Sequence, residues 1–149
     1  SRSGARARRL KVNKVASEKL YLDTYIFMDM LSGNEELAAK AKAYMKAHSV
    51  VSAIIFTELS YHIARRDKES VEEIVYLVES LPNLQMVAVT PEIATLAGSL
   101  RAKYRKRLEK KLTYFDCIHI ATAISEKCGK FVTGDRGMRG IEEIEVEVY

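Results

Sequence analysis

Four acids frame the chemistry this sequence offers: Asp23, Glu58, Asp116 and Asp135. Asp23 closes a strand-like run, Lys19-Leu20-Tyr21-Leu22-Asp23, and Asp135 lies two residues past Thr133 at the end of another. Asp116 falls in the first turn of a helix-forming stretch, where the helix dipole favours negative charge. Glu58 is set among Ile54, Ile55, Leu59 and Ile63. Taken singly, each has a plainer explanation: Asp23 a cap for the following segment, Asp116 a helix-terminal acid, Asp135 a turn residue, Glu58 a solvated helix position. Periodicity does not choose between these readings. If the four meet, two carboxylates about 4 Å apart repel by about 4 kcal/mol at an effective dielectric near 20. Protons or a divalent cation must then neutralise them. Hard cations such as Mg²⁺ take oxygen ligands and keep some waters, and no histidine or cysteine cluster favours zinc. Mg²⁺ or Mn²⁺ is the implied cofactor.

Other reactive patterns are weaker. His119 follows Asp116 by three residues and His62 follows Glu58 by four, so each shares a helix face with an acid. Either could tune an acid or touch a nucleic acid, and a structural role is the favoured reading of both. There is no glycine-rich phosphate loop with a following lysine and no Ser–His–Asp spacing, and Asp23-Thr24-Tyr25 lacks the second acid of an aspartyl-phosphate phosphatase. Arg101 to Lys111 holds seven basic residues against the single acid Glu109. Most of them fall off the apolar stripe of their expected helix and should face solvent, with Tyr104 and Tyr114 nearby. Contact with a nucleic-acid backbone, through Arg105 among others, and a merely solvated helix end are both open. Arg136 and Arg139 flank Asp135 and are better placed to steady a phosphate.

The elements that must position these residues alternate between strand and helix. After the first strand, Glu35 to Ala47 carries Leu37, Ala41 and Tyr44 at helical spacing. Val50 and Val51 suggest a brief strand, and Ser52 an N-cap for a helix through Glu58 to Arg65. Ser70 to Leu81 opens with the capping box Ser70-x-x-Glu73 and carries one apolar stripe, and Pro82 and Asn83 stop it. Leu84 to Val89 is strand-like. Thr90-Pro91-Glu92 then starts a helix with Ile93, Leu96, Ala97, Leu100, Tyr104 and Leu108 on one side. Phe115 to Lys127 is the next helix, with Gly129 as its expected C-cap. Phe131 to Thr133 is a strand and Gly134 to Gly140 a loop. The alternation of Ile144, Val146 and Val148 with Glu143, Glu145 and Glu147 makes a half-exposed final strand. Such alternation implies a parallel sheet with helices on both faces, and in such sheets ligands bind beyond the carboxyl ends of the strands.

Composition agrees with one ordinary globular domain: 48% hydrophobic and 30% charged residues, in a length that buries roughly two-thirds of the unfolded surface. No apolar run reaches the ~18 residues of a membrane span. No export signal is evident either, so a cytoplasmic protein is expected. The net charge of +4 is uneven. Six of the 24 basic residues (Arg2, Arg6, Arg8, Arg9, Lys11, Lys14) lie in the first 14 positions, leaving 18 basic against 20 acidic residues in the body. Residues 1–18 read as a flexible basic arm, native or appended, and residues 19–149 as the folded domain. Cys117 and Cys128, if on one helix, stand roughly 16 Å apart, too far for a disulfide, so both should be reduced.

Four short blocks, Tyr21-Leu22-Asp23-Thr24, Ser52-Ala53-Ile54-x-x-Thr57-Glu58-Leu59, Phe115-Asp116-x-x-x-x-Ala121-x-Ala123 and Val132-Thr133-Gly134-Asp135, resemble the signature blocks of PIN-domain nucleases. They stand in the family's order over roughly Lys19 to Val148, and the likeness is greatest to VapC-type toxins. The resemblance implies a three-layer α/β/α sandwich with a central, mostly parallel sheet, and Mg²⁺- or Mn²⁺-dependent cleavage of RNA. By the same resemblance Asp23, Glu58, Asp116 and Asp135 are the acidic metal-site residues, with Thr133 and Thr24 supporting them. Asp23, Asp116 and Asp135 are expected to ligate directly or through water. Glu58 is expected to ligate through water or to help deprotonate the attacking water. Tyr25, where many relatives have a small polar residue, and Met138, in place of an aromatic, are departures. The implied partners are RNA, a small antitoxin and a second copy of the chain. An RNA-processing PIN nuclease without an antitoxin and a catalytically silent nucleic-acid-binding module are the alternatives.

Overall fold

The computed structural model describes residues 18–66 and 71–149. The expected basic arm, apart from Glu18 at its end, and the expected Ser70 cap lie outside them. Five strands, β1 (Leu20–Leu22), β2 (Ser49–Ser52), β3 (Leu84–Val87), β4 (Lys130–Thr133) and β5 (Glu145–Val148), form one sheet in the order β3-β2-β1-β4-β5. Every pairing is parallel. Six α-helices lie among the described residues: α1 (Thr24–Met30), α2 (Glu35–Met45), α3 (Ile55–Arg66), α4 (Val71–Glu79), α5 (Pro91–Tyr104) and α6 (Tyr114–Ser125). The expected α/β/α sandwich is therefore what forms. No helix among the described residues is long and apolar enough to cross a membrane.

Strand periodicity divides the core in two. Tyr21, Val50 and Phe131 point to one face, where α5 and α6 supply Ile93, Ala97, Leu100, Ile120 and Ala121. Their neighbours Leu22, Val51 and Val132 point to the other, against Ile26 and Phe27 of α1, Ile55 and Leu59 of α3, and Ile74 and Val78 of α4. Because β1, β2 and β3 run outward one way and β4 and β5 the other, the strand order reverses between β1 and β4. The crevice beyond their carboxyl ends is where such sheets bind ligands. Asp23 follows β1 there and Asp135 follows β4.

Several expected boundaries move. Thr24–Met30 is a helix the sequence pattern did not announce. It starts because the Asp23 side chain accepts the Thr24 N–H at 2.8 Å. Ser52 ends β2 rather than capping α3, and its hydroxyl accepts the Ile54 N–H at 3.3 Å, one step before the helix begins. Strand β3 stops at Val87, and α5 stops at Tyr104 instead of continuing to Leu108. After α6 it is Lys127, at φ 55°, that takes the left-handed conformation, not Gly129. Gly129 answers a close approach instead: a Cβ there would stand 2.7 Å from Glu18 Cγ. Cys128 lies beyond the helix, and both cysteines are free.

The Phe131 ring stacks on Tyr21 with centroids 5.1 Å apart and planes 8° from parallel, both fully buried. Phe131→Ala is expected to cost about 3–5 kcal/mol, read as a lowered urea midpoint at unchanged slope. A cost under about 1 kcal/mol would contradict the packing described.

Candidate functional site

Two clusters of side chains meet at the β1/β4 switch point. In the inner one, Asp23 and Thr24 follow β1, Glu58 comes from α3 and His119 from α6. His119 Nε2 lies 2.6 Å from Glu58 Oε1 and 3.7 Å from Asp23 Oδ1. The Thr24 hydroxyl donates to the same Glu58 oxygen at 2.8 Å, and the Thr133 hydroxyl donates to Asp23 Oδ2 at 2.7 Å. Behind the histidine, Nδ1 meets the Tyr21 hydroxyl, whose oxygen accepts the Ser52 N–H at 3.0 Å. His119 is 1% exposed, so it belongs to the interior and the site at once.

The outer cluster holds Asp116 and Asp135. Asp116 lies in the first turn of α6, where it completes a capping box: its carboxylate accepts the Thr113 N–H at 3.0 Å and its own N–H donates to Thr113 Oγ1 at 3.1 Å. Asp135 Oδ1 accepts the Gly137 N–H at 2.8 Å and opens a single 3₁₀ turn, Arg136–Met138. Lys110 Nζ joins the two acids, pairing with Asp135 Oδ2 and lying 3.3 Å from Asp116 Oδ2. Thr133 links the clusters, because its hydroxyl oxygen also accepts the Asp135 N–H at 3.0 Å.

Charge reflects this proximity. Burial raises the Asp23 carboxyl above the usual range, although His119 and Thr133 oppose it. Burial pushes Glu58 up as well, but the His119 hydrogen bond and charge outweigh it and leave Glu58 lowered. For His119, burial acts downward and is overcome by Glu58, Asp23 and Asp116, so its pKa is raised. Asp135 is lowered because Lys110 and the Gly137 N–H overcome burial, and Lys110 is correspondingly raised. The Tyr25 hydroxyl is raised first by burial and then by Asp135, with Asp23 and Asp116 adding to it. His119 therefore feels Asp23, Glu58 and Asp116, and Tyr25 feels all three aspartates, which brings the four acids into one region.

The donor set is all oxygen, in kind what a hard dication takes. As placed, however, no three Asp, Glu, His or Cys side chains among the described residues are grouped to grip one ion. His119 and Lys110 stand among them instead. Of the remaining expected contacts, Arg136 and Arg139 are exposed beside Asp135. Arg105 lines a cleft of about 530 Å³ with Arg101, Lys111, Tyr104 and Tyr114, where the Arg101 guanidinium sits 4.0 Å from the Tyr114 ring centroid.

A family model of the PIN domain matches residues 20–144. The chain belongs to the PIN domain family. A comparison with curated protein sequences gives no match. Solved structures share this PIN fold at low identity. VapBC2 from Rickettsia felis, bound to a promoter DNA fragment, superposes with a TM-score of 0.66 at 18% identity, over 87% of this chain and 98% of that one. FitAcB from Neisseria gonorrhoeae gives 0.65 at 20%, over 85% and 95%. The sarcin-ricin loop cleaving toxin VapC20 of Mycobacterium tuberculosis gives 0.64 at 14%, over 85% and 98%.

Two further residues stand among the candidate acids. His119 carried a faint signal, its three-residue spacing from Asp116. Lys110 carried none, being one cation in a basic run expected to face solvent.

The His119–Glu58 pair makes stability depend on pH with a definite sign. The raised His119 contributes stability that is fully present below an unfolded value of about 6.5 and is lost as pH rises through the folded value. The lowered Glu58 contributes stability present above its unfolded value of about 4.3 and lost as pH falls through the folded one. Cys117 and Cys128, pushed up to about 11 by burial, add a further loss only at higher pH. In chelator-containing buffer, the unfolding free energy is expected to decline as pH rises above about 6.5, and to decline less in His119→Gln. Parallel profiles for the two proteins would rule the charge pair out.

Proposed function

We propose that this PIN domain is a divalent-metal-dependent endoribonuclease, the toxin of a toxin–antitoxin pair. One observation carries the reading: Asp23, Glu58, Asp116 and Asp135 come from four separate stretches to the carboxyl edge of one sheet, with Thr24 and Thr133 hydroxyls between them. The described likeness of the fold to a toxin that cleaves the sarcin-ricin loop supports RNA as substrate. Likeness to VapBC2, and to a toxin–antitoxin complex from Klebsiella pneumoniae (TM-score 0.63 at 21% identity, over 84% of this chain and 94% of that one), supports an antitoxin partner.

Asp23, Asp116 and Asp135 would hold Mg²⁺ or Mn²⁺. When bound, such an ion supplies a water of lowered pKa and neutralises charge on the leaving oxygen. Glu58, its carboxyl held low by His119, is suited to accept a hydrogen bond from an ion-bound water rather than to take its proton. Thr133 fixes the Asp23 carboxylate, and Thr24 fixes Glu58. Arg136 and Arg139 stand where they can pair with RNA phosphates, and the Arg105 cleft with its tyrosine extends the same basic surface. An apolar groove lined by Met28, Leu31, Leu59 and Ile63 would seat an antitoxin segment. Outward-facing Tyr76 and Leu77 of α4 suit a second copy of the chain. A cytoplasmic location goes with this role.

RNA cleavage should require Mn²⁺ or Mg²⁺, stop in EDTA, and fall at least about 100-fold in Asp23→Asn or Asp116→Asn, the scale of one lost transition-state contact. Asp23→Asn activity equal to wild type would reject the site. Metal-dependent cleavage without any antitoxin partner would favour an RNA-processing role. Sound folding with no cleavage and no metal-induced rise in melting temperature would favour a silent binding module.

A further inference from the structure

We propose that Lys110 is a tethered cation occupying part of the metal's place between Asp116 and Asp135, so that a dication must displace it to engage those two carboxylates. This rests on the reading that the site takes a divalent metal, and goes beyond it by naming what the metal competes with.

The placement of Lys110 is built, not incidental. It comes from the segment between α5 and α6, and that segment is pinned on both sides. Leu112 is 3% exposed within the α5–α6 core, and Leu108 packs against the same core. Leu108 reaches in over a glycine: a Cβ on Gly140 would stand 2.3 Å from Leu108 Cδ2. The Lys110 stem needs a second gap of this kind. A Cβ on Gly137 would come 2.6 Å from Lys110 Cδ and 2.8 Å from Lys110 Cβ, separations that real contacts do not reach. The aliphatic chain therefore lies in a channel that any side chain at position 137 would fill, and its ammonium emerges between the two carboxylates.

The neighbours behave differently. Arg105, Lys106, Arg107 and Lys111 of the same basic run are exposed, and Lys103 pairs with Glu142 and Glu143 away from the site. Only Lys110 of this run turns onto the acids. A solvated lysine needs neither the glycine channel nor the flanking leucines.

A protein whose binding-competent state is fractionally populated shows an affinity reduced by that fraction. If Lys110 leaves the acids about a tenth of the time, the metal binds about tenfold more weakly than the carboxylates alone allow. Titration calorimetry of the full chain with Mn²⁺ tests this, alongside melting in EDTA and in Mn²⁺. Lys110→Met is expected to bind Mn²⁺ at least about tenfold tighter than wild type, to melt lower in EDTA, and to gain more from Mn²⁺. Lys110→Gln should repeat the result if methionine disturbs the loop. Lys110→Arg, which keeps a cation there, should bind no tighter than wild type. Lys106→Met, the same charge change at an exposed position, should leave affinity unchanged. Equal or weaker Mn²⁺ binding by both neutral Lys110 variants overturns the inference, as does equal tightening by Lys106→Met. Wild-type binding that Asp135→Asn abolishes and Lys110→Met leaves unaltered sinks this inference alone. No Mn²⁺ uptake by any of these proteins overturns the metal reading with it.

Discussion

Negative charge gathered at one sheet edge is the constraint around which this molecule is arranged. Four carboxylates brought beyond the ends of β1 and β4 repel one another in a partly buried setting, by about 4 kcal/mol for a pair about 4 Å apart at an effective dielectric near 20. Every one of them has a donor or a cation against it. Asp23 accepts from Thr24 N–H and Thr133 Oγ1, Glu58 from Thr24 Oγ1 and His119, Asp116 from Thr113 N–H, and Asp135 from Gly137 N–H, while Lys110 spans the last two. The two halves are neutralised differently. His119 is buried and held from behind by Tyr21, whereas the Lys110 side chain keeps 28% exposure and reaches the acids from a loop. The histidine is a fixed part of the interior, and the lysine is a group that solvent and ions can approach.

The interior and the site share components. Tyr21 alternates onto the α5–α6 face of β1, stacks on Phe131 of the adjacent strand and lends its hydroxyl to His119 and Ser52. One residue on, Leu22 faces the opposite layer, and the next residue is Asp23. Strand register thus sets both which side chains fill each core and which carboxylate arrives at the crevice. A slip of one residue would send Tyr21 to the wrong layer and take Asp23 with it. Packing and chemistry are coupled through β1, the shortest strand of the sheet at three residues.

What was legible in the sequence follows from the range of the interactions involved. Local ones were readable. Thr90-Pro91 caps α5 with its hydroxyl on Ile93 N–H at 3.2 Å, and Ile74 and Val78 of the expected stripe are buried. Helix α1 was hidden because its only start signal, Asp23, was also a candidate site residue, and its seven residues are too few for a periodic stripe. Arg105 to Arg107 leave the helix because Leu108 is drawn across Gly140 instead of extending the α5 stripe. The acids could be nominated by type and position, but their partners could not. His119 meets Tyr21 across 98 residues and Glu58 across 61, and Lys110 meets Asp135 across 25. Spacing within one helix says nothing about contacts that only the sheet order creates.

For three of these acids the plain reading holds, and the proposed role builds on it. Asp23 caps α1, Asp116 completes the box that starts α6, and Asp135 opens the 3₁₀ turn. Each spends carboxylate bonding capacity on a backbone N–H at the start of a helical segment, which fixes the side-chain rotamer. Asp135 shows the division most clearly: Oδ1 is taken by Gly137 N–H and Oδ2 is left to Lys110. A carboxylate on a free side chain would have to be ordered at the moment a ligand arrived, at an entropic cost. A capping carboxylate has already been ordered by folding, and its remaining lone pairs point where the element ends. Elements that begin at the carboxyl edge of a parallel sheet therefore supply aimed oxygens as a consequence of their own initiation. Glu58, in the first turn of α3, is steadied instead by the side chains of Thr24 and His119.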